Sequence, residues 1–193
     1  MKQLSFLAVL IVLFKFSFAQ ELTVLPKDET GKYTYYEVVN TIAREDSLKT
    51  SLLNFFTKNK KEIRLKSAKD AKVILASGKL IVQKSKAMLS HPSAEITYVF
   101  NFEVAEGKYR FWLSNFEFIP YQKDRYGNFI PSTTVGIPLE NEPKKSNTEQ
   151  WEDYRLQTTK YAINFAKRLK DYLEDKKAIP PPTPEKKVIS KNW

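Results

Sequence analysis

The sequence predicts an α+β fold in which a curved antiparallel sheet of about five strands grips a long C-terminal helix. Between residues 94 and 119, two arms of alternating polarity, rich in aromatic and β-branched residues, flank the short segment 105–108. This pattern is typical of one long β-hairpin. From 151 to 173, apolar residues recur every three or four positions, which predicts an amphipathic helix of about seven turns.

The hydrophobic pattern also predicts the register of the hairpin. A loop with an even number of residues places Phe102 opposite Phe111 and Glu103 opposite Arg110. A three-residue loop would instead set Phe102 against Arg110, which mixes the two faces. We therefore expect an even loop, with one apolar row on the buried face.

The other elements complete the order strand, helix, four strands, long helix. They are a strand at 33–39, a helix with Asp46 as its N-cap, a strand at 62–66 and a strand at 73–82.

Four local features are also predicted: two distortions of strands, one connection and one helix cap. A change of phase in the hairpin indicates a bulge near 114–115, and the interior Gly78 indicates a bulge or bend. Residues 90–93 are expected to form a connection. Ser146 and Glu149 have the spacing of a capping box at the start of the long helix.

The domain organisation follows from composition. Residues 1–19 combine a basic start, an apolar run and small residues at a cleavage position, which predicts a secretory signal and a mature chain that begins at Gln20. We expect export to the periplasm or the extracellular space. Residues 20–32 form a polar lead and 33–177 a single domain, and the proline-rich tail 178–193 is expected to be disordered.

Enzymatic chemistry finds little support in the composition. The chain has one histidine, five glycines and no cysteine, so we expect no metal site, no cofactor and no Ser-His or Cys-His catalysis. A hydrolase with a carboxylate pair is the least favoured alternative, with Glu103, Glu117 and Asp124 as candidates. Our interpretation is a protein that is not an enzyme.

Positive charge is concentrated in residues 58–86. The whole chain has a net charge of +10, and this segment holds ten lysine or arginine residues against two carboxylates. Lys61, Arg64 and Lys66 could bind an anionic polymer or lipid, including by peripheral contact with a membrane. The alternative is that these residues maintain solubility and protect an edge strand from pairing. Nucleic acid is not an expected partner of an exported protein.

A binding site is expected on the hairpin and on the long connection at 121–145. Trp112 is expected on the outward face with Arg110, where a purely solvent-exposed surface would not need a tryptophan side chain. The connection is also long, and long ordered loops often bind partners. The partner would be an envelope protein, a glycan or a peptide. A loop that only seals the sheet is the equal alternative. The candidate residues are Trp112, Tyr121, Arg125, Tyr126 and Phe129.

Three short segments resemble a known family. The sequence Gly107-Lys108-Tyr109-Arg110 after the alternating arm, the strand at 36–39 and the helix opening at 46–48 are similar to the domain of unknown function 4468. The resemblance implies a TBP-like fold and export from a Gram-negative bacterium. It implies no activity and no catalytic residues.

Overall fold

A computed structural model describes residues 24–68, 73–86 and 89–174 of the chain. Several sequence predictions lie outside these ranges: the signal at 1–19, the mature start at Gln20 and the tail at 178–193.

The described residues form two helices and seven strands. The helices are α1 (Glu45–Lys58) and α2 (Thr148–Glu174), the latter preceded by a 3-10 turn (Lys145–Asn147). The strands are β1 (Tyr35–Asn40), β2 (Ile63–Ser67), β3 (Val73–Lys86), β4 (Leu89–Ala105), β5 (Lys108–Lys123), β6 (Phe129–Pro131) and β7 (Ile137–Pro138).

All strand pairs in the sheet are antiparallel. The strand order is β1-β5-β4-β3-β2, and the short strands β6 and β7 also pair with β5. The predicted α+β class, with an antiparallel sheet of about five strands and a long C-terminal helix, is confirmed; two short strands, β6 and β7, join the five main ones.

The core lies between one face of the sheet and both helices. Phe165 of α2 is fully buried, and its ring centroid lies 5.7 Å from that of Phe55 in α1 and 5.7 Å from that of Phe100 in β4. The apolar stripe from Trp151 to Leu173 supplies most buried positions of α2. The two helices therefore cover the inner face of the sheet, because each element must bury its single apolar face.

The register of the hairpin is the predicted one. Phe102 lies opposite Phe111, Glu103 opposite Arg110, and the turn consists of two residues. Gly107 in that turn has a φ of +71°, a conformation that glycine adopts without strain.

The predicted bulge in β5 is also confirmed. The pairing shifts between Thr97 and Val99 of β4, and Asn115 of β5 has a φ of 53°. Asparagine tolerates this left-handed conformation better than most residues. The bulge returns Phe116 and Phe118 to the inner face, where both are buried.

Two predictions about strands are wrong. Gly78 carries no bulge, because its pairing with both neighbouring strands is regular. Residues 90–93 are not a connection: β4 already begins at Leu89, and it accommodates Pro92 through a register shift opposite Val82 and Gln83. Proline is tolerated in strands where a bulge removes the need for its N–H.

Two predictions about helix caps are also wrong. The N-cap of α1 is Arg44, which makes no capping bond through its side chain, and Asp46 lies inside the first turn. There its carboxylate faces the positive end of the helix dipole. At α2 the Ser146 hydroxyl donates to Asn147 Oδ1 at 3.1 Å within the 3-10 turn, so it does not form a capping box with Glu149.

The packed unit extends into the predicted polar lead. Leu25 is buried in the core, and its backbone N–H donates to Thr159 Oγ1 of α2 at 3.2 Å. A turn braced by the carboxylate of Asp28 then brings the chain to the buried Tyr33. Among the described residues, neither helix has the length and apolarity needed to cross a membrane.

Candidate binding surfaces

The described helices pack on the inner face of the sheet, and several side chains on the outer face are exposed. Alternation along each strand sends every second side chain to this face. Tyr36 and Val38 of β1 are 54% and 48% exposed, and Ile81 of β3 is 40% exposed. Tyr36 and Val38 are neighbours on this face, and adjacent exposed apolar side chains often mark an interaction surface.

The edge of β1 that faces away from β5 is unpaired within the described part of the chain. The register runs from Tyr35 opposite Leu113 to Asn40 opposite Lys108, and beyond it the Thr41 N–H donates to Gly107 O at 2.9 Å. In an antiparallel pair, hydrogen-bonded positions alternate along the strand. The odd-numbered residues of β1 therefore bond to β5, and the N–H and C=O groups of Tyr36, Val38 and Asn40 point out of the sheet. We call these groups the free edge of β1.

Trp112 lies on the outer face opposite Asn101, as predicted. Its contacts are with Tyr36 of β1, at 6.4 Å between ring centroids, and with the guanidinium of Arg110, 5.7 Å from its ring. Arg110 Nε also donates to Glu103 Oε2 at 2.6 Å, which explains Glu103 as a cross-strand partner. The side chains of Tyr36, Val38, Arg110 and Trp112 form what we call the aromatic patch.

A small depression adjoins the aromatic patch. It has a volume of about 250 Å³, and its lining includes Tyr36, Val38, Glu103 and Arg110. These residues come from β1, β4 and β5, so the depression belongs to the sheet and not to a loop. It is large enough for one side chain of a bound partner.

Tyr121 lies at the far end of β5. It lies nine positions after Trp112 in the sequence, which corresponds to about 30 Å of strand. Its hydroxyl donates to Glu95 Oε2 at 3.0 Å, and Lys79 Nζ donates to the same oxygen at 3.0 Å. The pKa of Tyr121 is raised to about 12, chiefly by burial and to a smaller extent by the hydrogen bond to Glu95.

The other candidates of the long connection lie on the β5–β6 hairpin. The Asp124 carboxylate accepts the N–H groups of Tyr126 and Asn128, both at 2.8 Å, and so fixes the turn. These bonds lower the pKa of Asp124 although desolvation opposes them. Tyr126 is 74% exposed at the tip, with the guanidinium of Arg125 4.9 Å from its ring.

Phe129 packs against the sheet instead of extending from the turn. Its ring stacks on His91 of β4, with centroids 5.0 Å apart and planes 6° from parallel. Lys123 Nζ lies 5.2 Å from the centroid of the same Phe129 ring. The structure thus groups Tyr121, Arg125, Tyr126 and Phe129 at one end of the sheet and leaves Trp112 at the other.

The basic candidates line one depression on the β2 side of the outer face. Its volume is about 410 Å³, and we call it the basic depression. Lys61, Arg64 and Lys66 are exposed there. The remaining lining residues are Glu62, Ser77, Gly78, Lys79 and Thr97.

The carboxylates considered for a hydrolase have separate local roles. Glu103 pairs with Arg110, Asp124 braces its turn, and Glu117 lies under Gly136, where an added Cβ would come within 2.6 Å of the Glu117 side chain. Within residues 24–68, 73–86 and 89–174, no group of three His, Cys, Asp or Glu side chains is placed to hold a metal ion.

Tyr36 and Val38 were not among the residues predicted for a binding surface. The signal was present in the alternation of β1, which gives these two residues one face and Tyr35, Glu37 and Val39 the other. What the sequence did not contain was the position of β1 at the end of the sheet.

Comparison with known proteins supports the fold. Residues 46–119 match the family described as domain of unknown function (DUF4468) with TBP-like fold. A crystal structure of a TBP-like protein from Parabacteroides distasonis is 13% identical with a TM-score of 0.55, and the match covers 78% of this chain and 97% of that chain. A crystal structure of a DUF4468 family protein from Bacteroides ovatus is 15% identical with a TM-score of 0.53, covering 83% of this chain and 94% of that chain.

These likenesses show the fold alone. No curated protein matches the sequence. The resemblance inferred from the three short segments is confirmed, and the matched family has no assigned activity.

Proposed function

We propose that this protein is an exported, non-catalytic binding module. Its residues 46–119 match the family described as domain of unknown function (DUF4468) with TBP-like fold. Its partner would be an extended segment of an envelope protein, added as a strand along the free edge of β1. The observation that carries this proposal is the row of outward-pointing N–H and C=O groups at Tyr36, Val38 and Asn40.

The two edges of the sheet differ in chemistry. The edge strand β2 carries Arg64 and Lys66, the kind of side chain that discourages pairing with another strand. The strand β1 has the sequence Tyr-Tyr-Glu-Val-Val-Asn, without lysine, arginine or proline. Its β-branched and aromatic residues favour pairing. The unprotected edge is therefore the better template for an added strand.

The side chains beside this edge provide a means of selection. In strand addition, backbone hydrogen bonds supply affinity, and pockets for alternate side chains supply specificity. The aromatic patch and its depression of about 250 Å³ lie directly beside Val38. An incoming strand would place every second side chain on this face, where an apolar or aromatic residue could contact Tyr36 and Trp112.

Most charges near the edge are paired within the protein. Arg110 pairs with Glu103 on the outer face, and Lys170 of α2 pairs with Glu37 on the inner face. Lys108, opposite Asn40, lines the depression and takes part in none of the ion pairs found among the described residues. A segment of alternating apolar and polar residues, the polar ones neutral or acidic, therefore fits this edge best. Export, predicted from residues 1–19, would place such a segment in the envelope.

The proposal is tested with a random nine-residue peptide library displayed on phage. Selection on the mature protein should enrich peptides with alternating apolar residues. Their binding should be lost in Val38→Pro, because proline removes the N–H that points out of the sheet and leaves the ladder to β5 intact. Val38→Thr is the matched control, since it keeps both the N–H and the β-branch, and it should retain binding.

Melting temperatures of both variants are measured alongside. A peptide family that binds Val38→Pro as tightly as the parent protein, while the variant remains folded, would contradict strand addition. Selection that yields no enriched peptide would contradict the proposal as well.

A further inference from the structure

We infer that the basic depression is a binding site for a phosphate group. It lies on the β2 side of the sheet, apart from the free edge of β1, and it holds four cationic side chains and two hydroxyl-bearing side chains. The inference therefore stands independently of strand addition.

Three of the four cations in this depression lack a compensating carboxylate among the described residues, while Lys79 pairs with Glu95, its Nζ 3.0 Å from Oε2. Lys61, Arg64 and Lys66 take part in none of the ion pairs found there. Glu62 is the one carboxylate in the lining, and Arg168 of α2 binds it, with Nη1 3.1 Å from Oε2. The depression thus has an excess of positive charge that an anion would neutralise.

Protection of the β2 edge does not account for the arrangement. An edge is guarded by charges on its own strand, but Lys61 precedes β2, and Ser77 and Thr97 of the lining belong to β3 and β4. Side chains from three separate segments converge on one depression, and convergence is what a binding site requires.

The types of group favour phosphate. Arg64 Nε donates to Lys60 O at 3.2 Å, which leaves the two Nη groups of its guanidinium as donors for an anion, and the lysines act as point charges around it. Ser77 and Thr97 lie half-buried in the lining; the Thr97 hydroxyl makes a long hydrogen bond of 3.4 Å to Glu117 O, and no hydrogen-bond partner is found for the Ser77 hydroxyl among the described residues. A tetrahedral anion with several oxygens can accept from both kinds of donor, whereas a planar carboxylate has fewer acceptor directions.

The test is a calorimetric titration of the mature protein with tripolyphosphate at low salt, with citrate as a carboxylate comparator. The variant Arg64→Gln/Lys66→Gln should bind tripolyphosphate about tenfold more weakly or worse, because charged hydrogen bonds are lost. The control Lys160→Gln/Lys167→Gln removes the same charge from exposed positions of α2. Its affinity should change by less than about twofold.

Sedimentation with phosphatidylglycerol vesicles then identifies the source of the phosphate. Retention on vesicles that tripolyphosphate reverses indicates a lipid headgroup, and tripolyphosphate binding without retention indicates a soluble phosphate compound. Equal losses in the two variants, citrate binding as tight as that of tripolyphosphate, or no binding of tripolyphosphate would each overturn the inference.

Discussion

The phenol ring of Tyr98 occupies the space beside Gly78 on the neighbouring strand. A Cβ added at Gly78 would lie 2.2 Å from both Cζ and the hydroxyl oxygen of Tyr98. The ring cannot easily retreat, because Tyr98 is 2% exposed and its hydroxyl hydrogen-bonds that of Tyr161 at 2.6 Å. Gly78 is needed for this close approach and not for a bend of the backbone.

The first prediction follows from that contact. Gly78→Ala should destabilise the protein by about 1–3 kcal/mol, since an inserted methyl group forces the ring out of a packed position. Chemical denaturation measures the loss. The neighbouring Ser77→Ala is the control and should change the free energy of unfolding by less than about 0.5 kcal/mol. Unchanged stability in Gly78→Ala would show that Tyr98 moves without penalty.

The second prediction concerns the contact between α2 and the sheet. Phe165→Ala should lower the free energy of unfolding by about 3–5 kcal/mol, because a fully buried aromatic ring leaves a cavity. Ile163→Ala on the same helix is the matched control, since Ile163 is 42% exposed, and it should have a much smaller effect. Similar losses in the two variants would contradict the packing described here.

The sequence predicted the hairpin register and the bulge at 114–115 because both depend on local alternation. A shift of one residue would have moved Phe102 from the core to solvent, so only one register fits the pattern. The bulge at Gly78 was wrongly predicted because the role of this glycine depends on a contact with a residue distant in the sequence. The space that Gly78 leaves is filled by Tyr98, twenty residues later in the chain, and a single sequence does not show which ring reaches which glycine.

The aromatic patch and the basic depression were predicted less completely than the hairpin register. Placing Trp112 on the Arg110 face required only alternation, and it was correct. Its neighbours could not be foreseen, because they depend on which strand pairs with β5: Tyr36 comes from β1, far away in the sequence. The convergence of Lys79 with Arg64 likewise depends on the pairing of β2 with β3.

The third prediction concerns the pKa of Tyr121, which is about 12 in the folded protein and ordinarily about 10. Because folding raises this pKa, the protonated hydroxyl contributes stability below about pH 10, and the contribution is lost as the pH rises through 12. In Glu95→Gln the pKa should fall but stay above its ordinary value, since burial is the larger cause. NMR titration of labelled tyrosine measures it, with Glu103→Gln as the control. A pKa that Glu95→Gln leaves in place would exclude the carboxylate as a cause.

The fourth prediction concerns processing. Exported protein should begin at Gln20, because residues 1–19 have the charge, apolar run and cleavage residues of a secretory signal. Intact-mass measurement of material recovered from the envelope tests it. A mass that still includes residues 1–19 would indicate an uncleaved membrane anchor.

The accessibility of the free edge of β1 is tested most directly by amide hydrogen exchange, residue by residue. In the protein alone, the amides of Glu37 and Val39 should exchange slowly, because they bond to β5, while those of Tyr36 and Val38 exchange quickly. Adding a peptide selected from the library should slow Tyr36 and Val38 and leave Glu37 and Val39 unchanged. A Val38 amide that is already protected in the protein alone, or that still exchanges quickly with the peptide bound, would contradict strand addition at β1.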